Sequence, residues 1–146
     1  MKKTLSKKKI LCAIVLVFLL SLLFFYFTFF FTRNLGHGFS RAIEDSLAQN
    51  ASIDFDAIAP FAWDRLLIIG PYSPIDNILA RGDLRWPFPS RAIESTDTIT
   101  LLLFVRGNRV VAFSELSRSV FDFASFGHYH GQFSFTRNEA VFVSGR

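Results

Sequence analysis

An apolar run near the N-terminus dominates the pattern of hydrophobic and polar positions along the chain. Residues 10–31 contain no charged side chain, and 17 of these 22 positions are Leu, Ile, Val or Phe. As a helix that rises about 1.5 Å per residue, the run reaches roughly 33 Å, which matches the hydrocarbon core of a bilayer. A buried core helix is a weak alternative, because a small domain rarely encloses a helix that is apolar on every side. The pattern therefore predicts one transmembrane helix over residues 10–31.

The charges that flank this run predict its direction. Every lysine of the chain lies ahead of it, within residues 1–9, and only Arg33 and Arg41 follow it closely. By the positive-inside rule, residues 1–9 form a basic cytoplasmic tail and the remainder lies on the non-cytoplasmic side. A cleaved signal peptide is the alternative, but the run exceeds the usual apolar length of about 7 to 15 residues and no A-x-A-like site follows it. We therefore expect a single-pass signal-anchor in the cell membrane.

Beyond the membrane segment, the hydrophobic spacing becomes that of an amphipathic helix. Apolar positions in residues 39–49 recur at intervals of three and four, with charged positions on the opposite side. Residues 51–60 look like a connector to the following domain. Residues 32–60 are thus expected to form a juxtamembrane amphipathic helix and a connector.

The next segment predicts a strand, a turn and a short helix. Residues 66–69 form a continuous apolar run closed by a Gly-Pro pair, which is typical of a strand covered on both faces. Ser73 can cap the helix that follows, Pro74 suits its first position and Gly82 its end.

Two β-hairpins are predicted in the second half of the chain. Residues 98–105 and 109–114 are rich in β-formers and meet around Gly107 and Asn108, a strong hairpin signal. The apolar residues of the first of these runs leave little polar surface, so we expect it to be the central strand of its sheet.

The second hairpin is expected from residues 132–136 and 139–143, which are joined by an Arg-Asn pair, and residues 83–97 are expected to form an extended loop. About five short strands with one or two helices and mostly hairpin connections amount to an α+β domain with a mostly antiparallel sheet. This extracytoplasmic domain is assigned to residues 61–146.

The charge and the cysteine content of the chain argue against two classes of protein. The formal net charge is +4, but beyond Ile10 eleven arginines face twelve acidic residues. The domain therefore lacks the overall positive charge that nucleic-acid binding requires, and we expect no nucleic-acid partner. The single cysteine, Cys12, lies in the apolar run. A disulfide-stapled secreted module is thereby excluded.

The order of several aromatic and turn residues resembles that of a group of bacterial proteins. Residues 61–64 read Phe-Ala-Trp-Asp, residues 70–72 read Gly-Pro-Tyr, and residues 104–111 read Phe-Val-Arg-Gly-Asn-Arg-Val-Val. This pattern, over about residues 55–116, resembles that of uncharacterised small lipoproteins and membrane-anchored proteins of the bacterial envelope. The resemblance implies location and fold but supplies no activity. Unlike the lipoprotein members, this chain lacks a lipobox, because no small residue immediately precedes Cys12.

A loop rich in Arg, Trp and Pro is the strongest candidate for a binding surface, and we expect it to contact a partner protein or the surface of the bilayer. Arg85, Trp86, Phe88 and Arg91 lie there around two prolines. Trp and Arg are over-represented at interface hot spots, and prolines lower the entropy lost when a loop docks. The alternative is that Trp86 and Phe88 fold back and cover the sheet. The expected partners are the lipid bilayer, through residues 10–31, and another envelope or membrane protein.

Catalytic or metal chemistry has weaker support. Asp64 precedes a buried strand, where a carboxylate usually caps a turn or pairs with an arginine such as Arg65. His128 and His130 share one side of an extended segment, but no cysteine or paired acids accompany them. A small enzyme or metal-binding domain using Asp64, His128 and His130 is therefore an alternative function, and a small subunit of a membrane complex is another. The leading expectation is a non-enzymatic accessory protein without cofactor or metal.

Overall fold

The computed structural model describes residues 7–50, 52–123 and 132–143. The chain divides into two compact units, Met1–Phe31 and Thr32–Arg146. The first unit contains one long helix, and the second contains all the strands and the remaining helices of the described residues.

Helix α1 (Lys7–Phe30) forms the first unit. Over Lys7–Phe27, none of the residues in its apolar window is buried, and its exposed apolar side chains lie on all sides. Because no polar face interrupts this surface, the helix is long and apolar enough to cross a membrane, a property that signal sequences share.

The second unit is an α+β domain, as expected. Its elements in chain order are β1 (Arg33–Asn34), α2 (Gly36–Asn50), β2 (Ser52–Asp54), α3 (Phe55–Ile58), β3 (Arg65–Ile69), α4 (Ile75–Arg81), a 3-10 helix (Ala92–Glu94), β4 (Ile99–Arg106), β5 (Arg109–Ser117), β6 (Gln132–Thr136), a second 3-10 helix (Arg137–Glu139) and β7 (Val141–Val143).

The main sheet has five strands in the order β1-β5-β4-β3-β6, and only the β1–β5 pair is parallel. Strand β4 is central, as its apolar sequence predicted. The β4–β5 hairpin is also confirmed, and Gly107 has a φ of +61° in its turn. Because that conformation is unfavourable for residues with a Cβ, glycine is the residue that suits this position.

Both faces of the sheet are covered, which explains the continuous apolar runs of β3 and β4. Side chains of α2, α3, β2 and β7 cover one face, together with Leu66 and Phe104 from the sheet. Helix α4 and the segment that contains Trp86 and Ile93 cover the other face, against Leu67 and other sheet residues. The domain therefore has two apolar clusters, one on each side of the sheet.

The prediction of a second hairpin is wrong. Strand β6 pairs with β3 in the main sheet, whereas β7 pairs with β2 in a separate two-stranded sheet. Between β6 and β7, the Glu139 carboxylate accepts hydrogen bonds from the Thr136 N–H, at 2.9 Å, and hydroxyl, at 2.7 Å. This 3-10 turn directs the chain out of the main sheet, so β7 does not fold back on β6.

The connector predicted over residues 51–60 contains regular structure. Ser52–Asp54 is strand β2, and the Asp54 carboxylate accepts from the N–H groups of Asp56, at 2.9 Å, and Ala57, at 3.3 Å. Such side-chain acceptance is the usual way to begin a helix. Helix α3 follows and buries Phe55 completely.

The start of α4 also differs from the expectation. Pro74, not Ser73, occupies the N-cap position, and it has no side chain that can accept the free N–H groups of the first turn. Glu94, in the first 3-10 helix, supplies that acceptor, because its Oε1 receives the Ile75 N–H at 3.0 Å. The predicted end at Gly82 is confirmed by its N–H bond to the carbonyl of Ile78, at 3.1 Å.

Candidate functional site

The segment from residue 85 to residue 91, here the Phe88 loop, begins as an extension of the sheet. The Arg85 N–H donates to the Asn108 carbonyl at 2.7 Å, and the Arg85 carbonyl accepts from the Val110 N–H at 3.1 Å. These bonds form a parallel bridge between Arg85 and Arg109. The Arg85 backbone is therefore fixed beside the β4–β5 turn, while its side chain is exposed.

Trp86 anchors the loop from below. Its side chain is only 5% exposed and belongs to the apolar cluster on the α4 side of the sheet. Its ring centroid lies 4.9 Å from that of Phe113, with the ring planes tilted by 51°. Such aromatic pairs add packing energy to the area that they bury. Trp86 thus covers the sheet, one of the two placements considered for it.

Arg91 fixes the other end of the loop. Its guanidinium contacts the Asp76 carboxylate at 2.9 Å and Glu94 at 3.2 Å. The hydrogen bond to Asp76 and the charge of that carboxylate, followed by those of Glu94, raise the pKa of Arg91. Ser90 adds a hydrogen bond to Glu115 on strand β5. Arg91 and Ser90 therefore hold the loop against α4 and the sheet.

Phe88 projects from the loop between these fixed ends. It is 74% exposed, and Pro87 and Pro89 flank it. Proline restricts the backbone on both sides, and the ends of the loop are tied down, so little conformational entropy remains to be lost on docking. Of the four predicted binding residues, Phe88 is the apolar one available to a partner.

Tyr72, in the Gly-Pro-Tyr pattern, is a second exposed aromatic residue. It is 64% exposed and has a φ of +56°. Its N–H donates to the Ile93 carbonyl at 2.7 Å. Pro71 precedes it, and in a type II turn with proline at the first central position the second central residue has positive φ. By contrast, Trp63 is buried and Phe61 is half-buried.

The contacts of Asp64 give it a structural role at the β4–β5 turn. Its Oδ2 accepts the Gly107 N–H at 2.8 Å, and Arg65 donates from Nη2 to the Gly107 carbonyl at 3.1 Å. The carboxylate thus caps the β4–β5 turn, and Arg65 binds that same turn. His128 and His130 lie outside the described residues. Within the described parts of the chain, no group of three or more His, Cys, Asp or Glu side chains is arranged to hold a metal ion.

Comparisons with protein-family models, curated protein sequences and solved structures gave no match. The resemblance to bacterial envelope proteins therefore stays a prediction.

Proposed function

We propose that this chain is a single-pass, membrane-anchored interaction protein of the cell envelope, with its domain outside the cytoplasm and binding, not catalysis, as its activity. The anchor is residues 10–31. An apolar surface on all sides of α1 supports insertion into lipid. The lysines ahead of the apolar run support a cytoplasmic N-terminus, because positive flanks are retained on that side.

The observation that carries the binding proposal is the exposed Phe88 on a loop fixed at both ends. A large apolar side chain held in water gains free energy when a partner covers it, about 25 cal/mol per Å² of apolar area. The partner is another envelope or membrane protein with an apolar pocket for Phe88. Arg85 places an exposed positive group on one side of Phe88 in the loop. On the other side Arg91 holds the loop through Asp76 and Glu94, and Trp86 packs beneath the loop.

The test replaces Phe88 with a photo-crosslinking amino acid in the full-length chain in native membranes, with Val141 replaced in the same way as a control. Val141 is also an exposed apolar residue, at 50%, but it lies on β7. We expect a crosslinked partner protein from position 88 and none of the same mass from position 141. Identical products from both positions, or none from position 88, would contradict the proposal.

A matched pair of alanine variants separates binding from folding. Phe88→Ala should abolish co-purification of the crosslinked partner and change the free energy of unfolding by no more than about 0.5 kcal/mol, because the side chain is exposed. Trp86→Ala should lower the free energy of unfolding by about 3–5 kcal/mol, because it removes a buried aromatic ring. Undiminished co-purification by the folded Phe88→Ala variant would refute the role of Phe88.

A further inference from the structure

Five of the eleven arginines of the chain lie around one end of the main sheet, at the β4–β5 turn. We call this group the arginine pole; its members are Arg33, Arg65, Arg85, Arg106 and Arg109. They are far apart in sequence, and strand pairing brings them together.

The pairing register defines the arginine pole. Arg106 and Arg109 face each other across the turn, and Arg85 forms a bridge with Arg109. Arg65 pairs with Val105 and donates to the Gly107 carbonyl. On strand β1, Arg33 pairs with Ala112 of β5. Ala112 lies about 10 Å from Arg109 along β5, because a strand rises by roughly 3.4 Å per residue. All five residues therefore lie within a few registers of the turn.

The charge at this end is unbalanced. Two acids, Asp64 at the turn and the nearby Asp83, lie at this end with the five arginines, which gives a formal charge of +3. Asp56 does not enter this sum, because it is paired with Arg137. The other residues beyond Ile10 contain six arginines and ten acids, a formal excess of −4. The formal net charge of the domain is therefore slightly negative, although one end is positive and the remainder is acidic.

Three guanidinium groups of the arginine pole are available to a ligand. Arg33, Arg85 and Arg106 are exposed, and in the parts of the chain that the structure describes no carboxylate forms an ion pair with any of them. Arg33 also lies over the ring of Phe61, with its Cζ atom 5.7 Å from the ring centroid. A guanidinium group binds phosphate oxygens through two parallel hydrogen bonds. The chemistry of this end therefore matches phosphate esters.

The domain also begins at this end. Thr32, its first residue, donates from Oγ1 to the Val110 carbonyl at 2.9 Å, and the Leu35 N–H donates to the Phe113 carbonyl at 2.9 Å. On the proposed function, the residues immediately before Thr32 lie in the bilayer. Chain connectivity alone then keeps Thr32, and the arginines beside it, within reach of lipid headgroups.

We propose that the arginine pole binds the phosphate groups of anionic lipids at the membrane surface. This inference rests on the proposed membrane anchor, and its test changes Arg33 and Arg106, which lie outside the Phe88 loop. Each arginine near an anionic surface strengthens lipid binding by roughly fivefold.

The test reconstitutes the full-length chain into vesicles of neutral lipid that contain a small fraction of headgroup-labelled phosphatidylglycerol or, separately, labelled phosphatidylcholine. A donor fluorophore is attached at the β4–β5 turn through Asn108→Cys in a Cys12→Ser background. Energy transfer then reports how strongly each labelled lipid gathers beside the turn. We expect selective enrichment of phosphatidylglycerol, which weakens when salt shortens the screening length.

The decisive comparison uses two double variants with equal loss of charge. Arg33→Gln/Arg106→Gln should weaken the enrichment by about 25-fold at limiting label, and it leaves the Phe88 loop intact. Arg41→Gln/Arg81→Gln, which changes exposed arginines on α2 and α4, should retain it. Equal enrichment in all variants, or equal loss in both double variants, would overturn the assignment. Loss of the phosphatidylglycerol enrichment in inorganic phosphate, but not in chloride at matched ionic strength, would also overturn it. That result would indicate a site for free phosphate.

Flotation of the vesicles after alkaline extraction distinguishes failure of this inference from failure of the anchor. Protein that floats with the vesicles but gathers no phosphatidylglycerol contradicts the arginine pole alone. Protein that separates from the vesicles contradicts the membrane anchor, and the lipid site falls with it.

Discussion

At the residue scale, the contacts of Gly107 show how two side chains at the start of β3 shape a distant turn. Asp64 accepts its N–H and Arg65 donates to its carbonyl, so both polar groups of this glycine are satisfied from across the sheet. The positive φ of Gly107 explains the choice of glycine, and the two side chains explain why the turn keeps one position relative to β3.

Asp64→Ala should lower the free energy of unfolding by about 1 kcal/mol, because a charge-assisted hydrogen bond is lost at a turn where water can replace it. Asp64→Asn should retain most of the stability, because the amide oxygen can still accept the Gly107 N–H. Chemical denaturation of the three proteins measures the difference. Unchanged stability in Asp64→Ala would contradict the capping role and reopen the alternative of a catalytic carboxylate.

The local sequence was sufficient to predict the structural role of some residues but not of others. Gly107 and Asn108 mark their turn because the conformation depends on those residues themselves. Ser73 was a reasonable cap by composition, but the acceptor at the start of α4 comes from Glu94, 19 residues away from Ile75. Trp86 and Phe88 are two residues apart in one loop, and only tertiary packing decides that one is buried and the other exposed.

At the scale of the elements, strands with continuous apolar sequence were predictable and the pairing of the last two strands was not. Strands β3 and β4 are buried on both faces, which their composition requires. Strands β6 and β7 are adjacent in sequence, but each finds its partner elsewhere, in β3 and β2. The 3-10 turn between them, with Glu139 bound to Thr136, decides against a hairpin.

This turn gives a pH dependence of defined sign. The hydrogen bond from the Thr136 backbone N–H, and then that from its hydroxyl, lower the pKa of Glu139 below its ordinary value of 4.5. A lowered pKa means that the charged carboxylate favours the folded state. Its contribution is therefore complete above the unfolded-state pKa, and it is lost as the pH falls through the folded-state value.

Denaturation of the parent protein and of Glu139→Gln across this range measures the effect. We expect the parent to be the more stable protein at neutral pH and the difference to shrink once the pH drops below about 4.5. A difference that stays constant from neutral to acidic pH would show that Glu139 stabilises the turn without its charge.

At the scale of the whole molecule, the distribution of charge links the proposed anchor and the proposed lipid site. The lysines lie ahead of the apolar run, and five arginines gather in space at the end of the domain where its chain begins. The sequence revealed the first group because it is contiguous. It concealed the second, because residues from β1, β3, the Phe88 loop and the β4–β5 hairpin meet only through strand pairing.

We propose that one helix holds this chain in a membrane with its domain outside the cytoplasm. The most direct measurement labels single cysteines with a membrane-impermeant thiol reagent, in a Cys12→Ser background and in cells with an intact plasma membrane. Arg81→Cys, an exposed position on α4, should be labelled before permeabilisation, and Lys7→Cys only afterwards. Labelling of Lys7→Cys in intact cells, or protection of Arg81→Cys, would contradict the account.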